Sequence, residues 1–210
     1  MISSRGVPGS RIGLSALTFA IVVLLTAAGR DSLAASPVES RGPYAPYEFL
    51  IGRWDIAPQQ GGAPFATAQF RWGPNHAYIW YAGGFVVNGV ERPHFEGLLM
   101  WNGTSKRLDM LLSMDLEHGL VQEQGSVYIA ADDTVVRDIT AIYSEGSRPL
   151  GQPVAGANGA TARFRQTFKS TGPDKIFTTV MRQAGDGWVA TFPGSDHLVM
   201  TRRAESKPSS

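Results

Sequence analysis

From Ile51 onward the chain is a succession of short segments in which apolar and polar positions alternate. The clearest sets Ala162, Phe164, Gln166 and Phe168 on one face against Arg163, Arg165, Thr167 and Lys169 on the other. A period of two is that of a strand half buried in a sheet. Similar runs cover residues 51–57, 64–72, 77–87, 94–101, 106–114, 120–130, 134–143, 175–183, 187–192 and 197–202, so about eleven short strands are expected. Turn signals separate them, among them Gly61-Gly62, Asn88-Gly89, Asn102-Gly103, Asp132-Asp133, Gly172-Pro173-Asp174 and Gly185-Asp186-Gly187. Short strands joined by tight turns predict an all-β fold, a single antiparallel up-and-down β-barrel of about ten strands. Closing the sheet removes the unpaired edges that an open meander would expose. One turn of helix over Pro46 to Leu50 is expected to plug the barrel. The Gly- and Pro-rich stretch from Glu145 to Ala160 reads as a long loop, either bordering the open end or inserted on the surface.

The residues ahead of the strands change the picture of where the protein works. Arg5 and Arg11 precede an apolar run from Ile12 to Ala28, and small residues follow at Ser32-Leu33-Ala34. This order is that of an export signal cleaved after Ala34, with cleavage after Ala28 or an uncleaved anchor as the alternatives. The expected division is a signal peptide at 1–34, an extended lead-in at 35–46, the barrel at 47–203 and a disordered tail at 204–210, in a periplasmic or secreted protein. The chain contains no cysteine, which removes disulfides, thiolate metal sites, a lipoprotein anchor and a cysteine nucleophile together. Of its 19 basic and 18 acidic residues the leader takes three and one, leaving a net charge of −1. A chain so close to neutral, without a basic run, is not built for nucleic acid or for anionic membrane surfaces. No stable membrane insertion is expected after cleavage, and the oligomeric state is left open.

What the barrel holds is read from its richer strands. Leu98 and Met100 alternate with Leu99 and Trp101, so both faces are apolar there, and Met100, Met110 and Met114 fall on neighbouring strands. Methionine adapts to irregular apolar guests, so the cluster marks either a cavity or ordinary core. A barrel of eight to ten strands has room for about one small ligand. The expected lining is Tyr78, Trp80, Met100, Met110 and Met114, with His94 and Glu96, two apart on one strand, as polar contacts or as an acid and base. The plain alternative for that pair is a solvent-facing strand end. A slip of one residue exchanges the faces of any strand.

Catalytic signatures are sparse: there is no His-Glu-x-x-His, no Gly-x-Ser-x-Gly and no phosphate loop. Of the four histidines, His76 and His118 sit in expected turns. His197, beside Asp196, opens the last strand, where it either ends the barrel against solvent or serves as a ligand. No metal or cofactor follows from these residues alone. Three classes of function therefore stand: an interior binder of a small apolar or amphipathic molecule, an enzyme using His94 with Glu96 or His197 with Asp196, and a structural protein that binds partners through an apolar surface patch.

Phe49-Leu50-Ile51-Gly52-Arg53-Trp54 resembles the start of the calycin/lipocalin superfamily, a helical turn followed by Gly-x-Trp. The resemblance implies that Gly52 and Trp54 close one end of the barrel beneath an arginine of the last strand, here Arg202 or Arg203. Over residues 44–203, Phe95-Glu96-Gly97, Trp101-Asn102 and Asp186-Gly187-Trp188 are similar to a bacterial domain of unknown function related to nitrobindin-like barrels. That likeness implies heme, held by His197, as the alternative to a small apolar ligand. Trp54 is followed here by Asp55-Ile56-Ala57, where nitrobindin-like chains carry further glycines.

Overall fold

The computed structural model describes residues 42–116, 119–144 and 159–204. The expected leader, His118, most of the long loop and the tail beyond Ala204 lie outside the described residues. A 3-10 segment at Gly42–Leu50 precedes eleven strands. These are β1 (Gly52–Pro58), β2 (Ala66–Trp72), β3 (Ile79–Val87), β4 (Val90–Asn102), β5 (Arg107–Leu116), β6 (Gly119–Ile129), β7 (Val135–Tyr143), β8 (Thr161–Gly172), β9 (Lys175–Ala184), β10 (Gly187–Ala190) and β11 (Leu198–Arg202). Every pairing is antiparallel. Each strand from β1 to β9 pairs with the next, β9 pairs with β11, and β11 pairs with β1, closing a ring of ten strands. β10 stays outside the ring, sharing with β11 one long edge of β9: Met200 pairs with Ile176, and Ala190 with Met181.

Local chemistry explains the element ends. Asn88 and Gly89 adopt φ of +53° and +76°, the left-handed pair that a tight hairpin between twisted strands requires. The 3-10 segment begins at Gly42 rather than Pro46, inside the stretch expected to be extended. Its buried residues Tyr44, Tyr47 and Leu50 recur every three positions, which is the period of a 3-10 turn.

That segment plugs one end of the barrel. Tyr44 Oη donates to the Ala77 carbonyl (2.8 Å) and accepts from the Trp101 amide (2.8 Å), and Tyr47 Oη donates to the Val127 carbonyl (3.3 Å). Trp54 Nε1 donates to the Leu50 carbonyl (2.7 Å). Trp54 and Arg202 face each other across the β1/β11 seam, with the guanidinium 4.3 Å from the indole ring. Arg202 spends its donors on main chain: Nη1 on Ile51 (2.6 Å), Nη2 on Phe49 (3.3 Å) and Nε on Pro173 (3.1 Å), with the Asp174 carboxylate 3.0 Å away. Gly52 has φ +139°, and a Cβ there would run into Arg202 Nη1, so only glycine fits. The closure residues that the Gly-x-Trp resemblance implied therefore meet, and Arg202 rather than Arg203 covers the tryptophan.

Above the plug the inner face is packed solid. Phe70, Ile79, Leu99, Leu108, Val127, Phe168 and Met200 are fully buried. Phe70 stacks on Tyr81 (4.3 Å between centroids) and meets Phe168 edge-on. Each large side chain removed from water in this way contributes about 1.5–3 kcal/mol.

Candidate functional site

The opposite half of the barrel is not filled. A chamber of about 160 Å³ lies there, walled by Ile56, Ala66, Phe95, Leu112, Met114, Ile139, Phe164, Val180 and Leu198. Phe65 and Phe192 meet edge-on at its rim (5.8 Å), and Phe85, which also lines it, is 37 % exposed. Polar side chains enter this apolar space from five strands: Tyr81 on β3, Glu123 on β6, Arg137 on β7, Gln166 on β8 and Thr178 on β9. Thr191 joins them from the β10/β11 connection, its Oγ1 buried without a hydrogen-bond partner.

Glu123 and Arg137 form the one ion pair among the described residues with both partners buried, at 7 % and 8 % exposure. On β6 and β7, Glu123 stands opposite Ala141 and Arg137 opposite Val127. Gly125, facing Ile139 between them, puts no side chain in the way of the long arginine. Arg137 Nη2 donates to Glu123 Oε2 at 3.2 Å, whereas Nε and Nη1 are buried with no partner. The guanidinium lies 5.2 Å from the centre of the Tyr81 ring. Gln166 Nε2 donates to Thr178 Oγ1 at 3.4 Å.

Burial governs the protonation of this group. It pushes the Glu123 carboxyl up even though Arg137 pulls it down. It also pushes up the Tyr81 hydroxyl, against Arg137, and raises Tyr143 to about 12, with the Glu123 charge adding to the effect. The hydroxyls stay protonated and the carboxylate is the strained member. The buried N–H donors of the chamber left without an acceptor are Arg137 Nε and Nη1.

The residues named from sequence are distributed differently. Met114 lines the chamber; Met110 also points inward, but into the packed half, where it is 4 % exposed. Trp80, His94, Glu96 and Met100 point outward, one position out of phase with Tyr81, Phe95, Gly97 and Leu99 on the inner face. Arg71 covers Trp80 at 3.9 Å, Met100 is 45 % exposed, and the His94 ring lies 4.8 Å from Phe85. Trp80, His94 and Glu96 line an outer groove of about 480 Å³ with Arg53, Glu91 and Arg203. There Glu91, from the tip of the β3/β4 hairpin, accepts from Thr67 (2.9 Å) and Arg203 (2.9 Å). Tyr78 is half-buried beside Gly73, ahead of β3 at the plugged end. His197 Nδ1 lies 3.1 Å from Asp196 on the outside, its side chain 65 % exposed. Among the described residues no three His, Asp or Glu side chains gather as metal ligands would.

Glu123 and Arg137, missed in the reading of the sequence, do leave a trace there. Each occupies a phase that is otherwise apolar, Glu123 with Val121 and Val127, Arg137 with Val135, Ile139 and Ala141. Two charges on the buried phase of successive strands mark an interior pair. No protein family matches the chain, and no curated protein matches its sequence. The closed antiparallel barrel is consistent with a calycin/lipocalin-like fold.

Proposed function

We propose that the protein is an exported calycin-like barrel that binds one small apolar or amphipathic molecule in its interior. The supporting observation is the chamber itself, an apolar space with buried polar groups at the open end of a barrel whose other half is packed. Concave, largely apolar sites with a few placed polar groups are where small ligands bind. Export is part of this reading and rests on the Arg5, Arg11 and Ile12–Ala28 leader pattern.

The alternatives find less support. Heme, implied by the nitrobindin-like resemblance, does not suit these residues: His197 is outside and exposed, and the chamber is smaller than the usual 300–1,000 Å³ or so of a drug-sized site. The acid–base pairs His94 with Glu96 and His197 with Asp196 do not line the chamber.

Toluene and indole are suitable probes, followed through the methyl resonances of Met114 and Val180. Saturable shifts in the native protein, abolished in Ala66→Phe, which fills the chamber, are the expected result. Native methyls that ignore both probes would defeat the reading.

A further inference from the structure

Resting on that reading, we infer that the chamber's ligand is a small monocarboxylic acid, about the size of benzoate, whose carboxylate accepts hydrogen bonds from the uncommitted N–H groups of Arg137. Buried donors in folded proteins are nearly always paired, and a guanidinium carries five N–H groups that cannot be shed by deprotonation. Here Nη2 serves Glu123, while Nε and Nη1 lie buried with no protein acceptor in reach. Arg202, in the same barrel, uses all three nitrogens. The shortfall at Arg137 is thus local to the chamber, and a ligand that brings acceptor oxygens removes it.

Charge selects among such ligands. The groups facing Arg137 are Glu123 from β6, the hydroxyl of Tyr81 from β3, the amide of Gln166 from β8 and the hydroxyl of Thr178 from β9. Only Glu123 offsets the guanidinium charge, and its burial favours the neutral carboxylic acid. An incoming carboxylate restores neutrality when Glu123 takes up a proton, and it supplies two oxygens to Arg137 Nε and Nη1. A neutral carbonyl meets the donors but not the charge, and a hydrocarbon meets neither.

Volume sets the size. A cavity of about 150 Å³ accommodates benzene, and this chamber measures about 160 Å³. One ring or a short branched chain, with its carboxylate turned toward Arg137, fills it. A long acyl tail would have to leave past Phe85.

The test is calorimetric titration of benzoate, benzamide and toluene into the native protein, Glu123→Gln and the double variant Arg137→Met/Glu123→Leu. The double variant removes both charges, so neither is left buried alone. The native protein is expected to bind benzoate at least about tenfold more tightly than toluene or benzamide. The double variant should lose roughly ten- to hundredfold in benzoate affinity, the range for hydrogen bonds to charged groups, and keep its toluene affinity. Glu123→Gln keeps the guanidinium and should bind benzoate several-fold more tightly at pH 8, a comparison that stands even if the double variant fails to fold. Equal affinity for benzoate and toluene, or a preference that survives loss of Arg137, overturns the carboxylate inference while upholding interior binding. Chamber methyls indifferent to every probe indicate a space held by water and overturn both.

Discussion

Arg202 and Arg137 are both arginines in contact with an aromatic ring of the same barrel, yet their surroundings are opposite. Arg202, at the plugged end, lies over Trp54 and gives its nitrogens to three carbonyls and a carboxylate. Arg137, in the chamber, lies near Tyr81 and gives Nη2 to a carboxylate that burial disfavours, while its Nε and Nη1 are buried without a partner. A satisfied guanidinium joins the first strand to the last. An unsatisfied one held in apolar surroundings costs the fold stability, and such groups persist where another constraint keeps them. The packed half of the barrel supplies that constraint here.

The comparison can be broken at either end. The largest effect is expected from Trp54→Ala, which empties a fully buried site beneath Arg202: a loss of about 3–5 kcal/mol in urea unfolding. A loss under about 1 kcal/mol would mean that the plug does not hold the seam. Next comes the contrast between the arginines. Arg202→Met strands several carbonyls and should cost about 2 kcal/mol. The Arg137→Met/Glu123→Leu exchange should be near neutral or stabilising, as replacements of buried ion pairs by apolar residues often are. Equal costs at the two sites would erase the distinction.

The smallest effect concerns pH. Because the folded Glu123 carboxyl titrates above its ordinary value of 4.5, the folded state holds its proton where the unfolded state has released it. Stability then falls as pH rises through that interval. Measured against Glu123→Gln, the native protein should be at its best below pH 4.5, decline as pH climbs to the raised value, and run parallel above it. A difference that stays flat or grows with pH would show that Arg137 compensates the carboxylate fully.

Much of this was legible in the chain because it is local or ends in a marked residue. The alternation of Phe164, Gln166 and Phe168 identifies β8 and its inner face, and Gly52 with Trp54 points to the seam with Arg202. The faces of β3 and β4 were not legible. Ile79, Trp80 and Tyr81 are consecutive and large, as are Leu98 to Trp101, so burial on one side reads equally well in either phase. The β3/β4 pairing also shifts at Gly83/Gly84, which no count along either strand reveals. Trp80, His94, Glu96 and Met100 were consequently assigned to the interior when they face outward. Gln166 stood on the correct face in the sequence. Glu123 and Arg137 needed the β6/β7 register before their meeting could be seen, since neither is opposite the other.

The seam between β1 and β11 has a bearing on how the molecule comes into being. Ile51 and Arg202, joined by a hydrogen bond, are 151 residues apart. β11 is only five residues long, and it must engage both β1 and β9. A chain made from its N-terminus therefore carries one edge of β1 unpaired until β11 has been made, open to pairing with another copy. Long-range closure of this kind is slow. Whatever shelters the nascent polypeptide has to do so until β11 has been made, and a product that stops at Asp196 would have every wall of the chamber but one and no way to shut it.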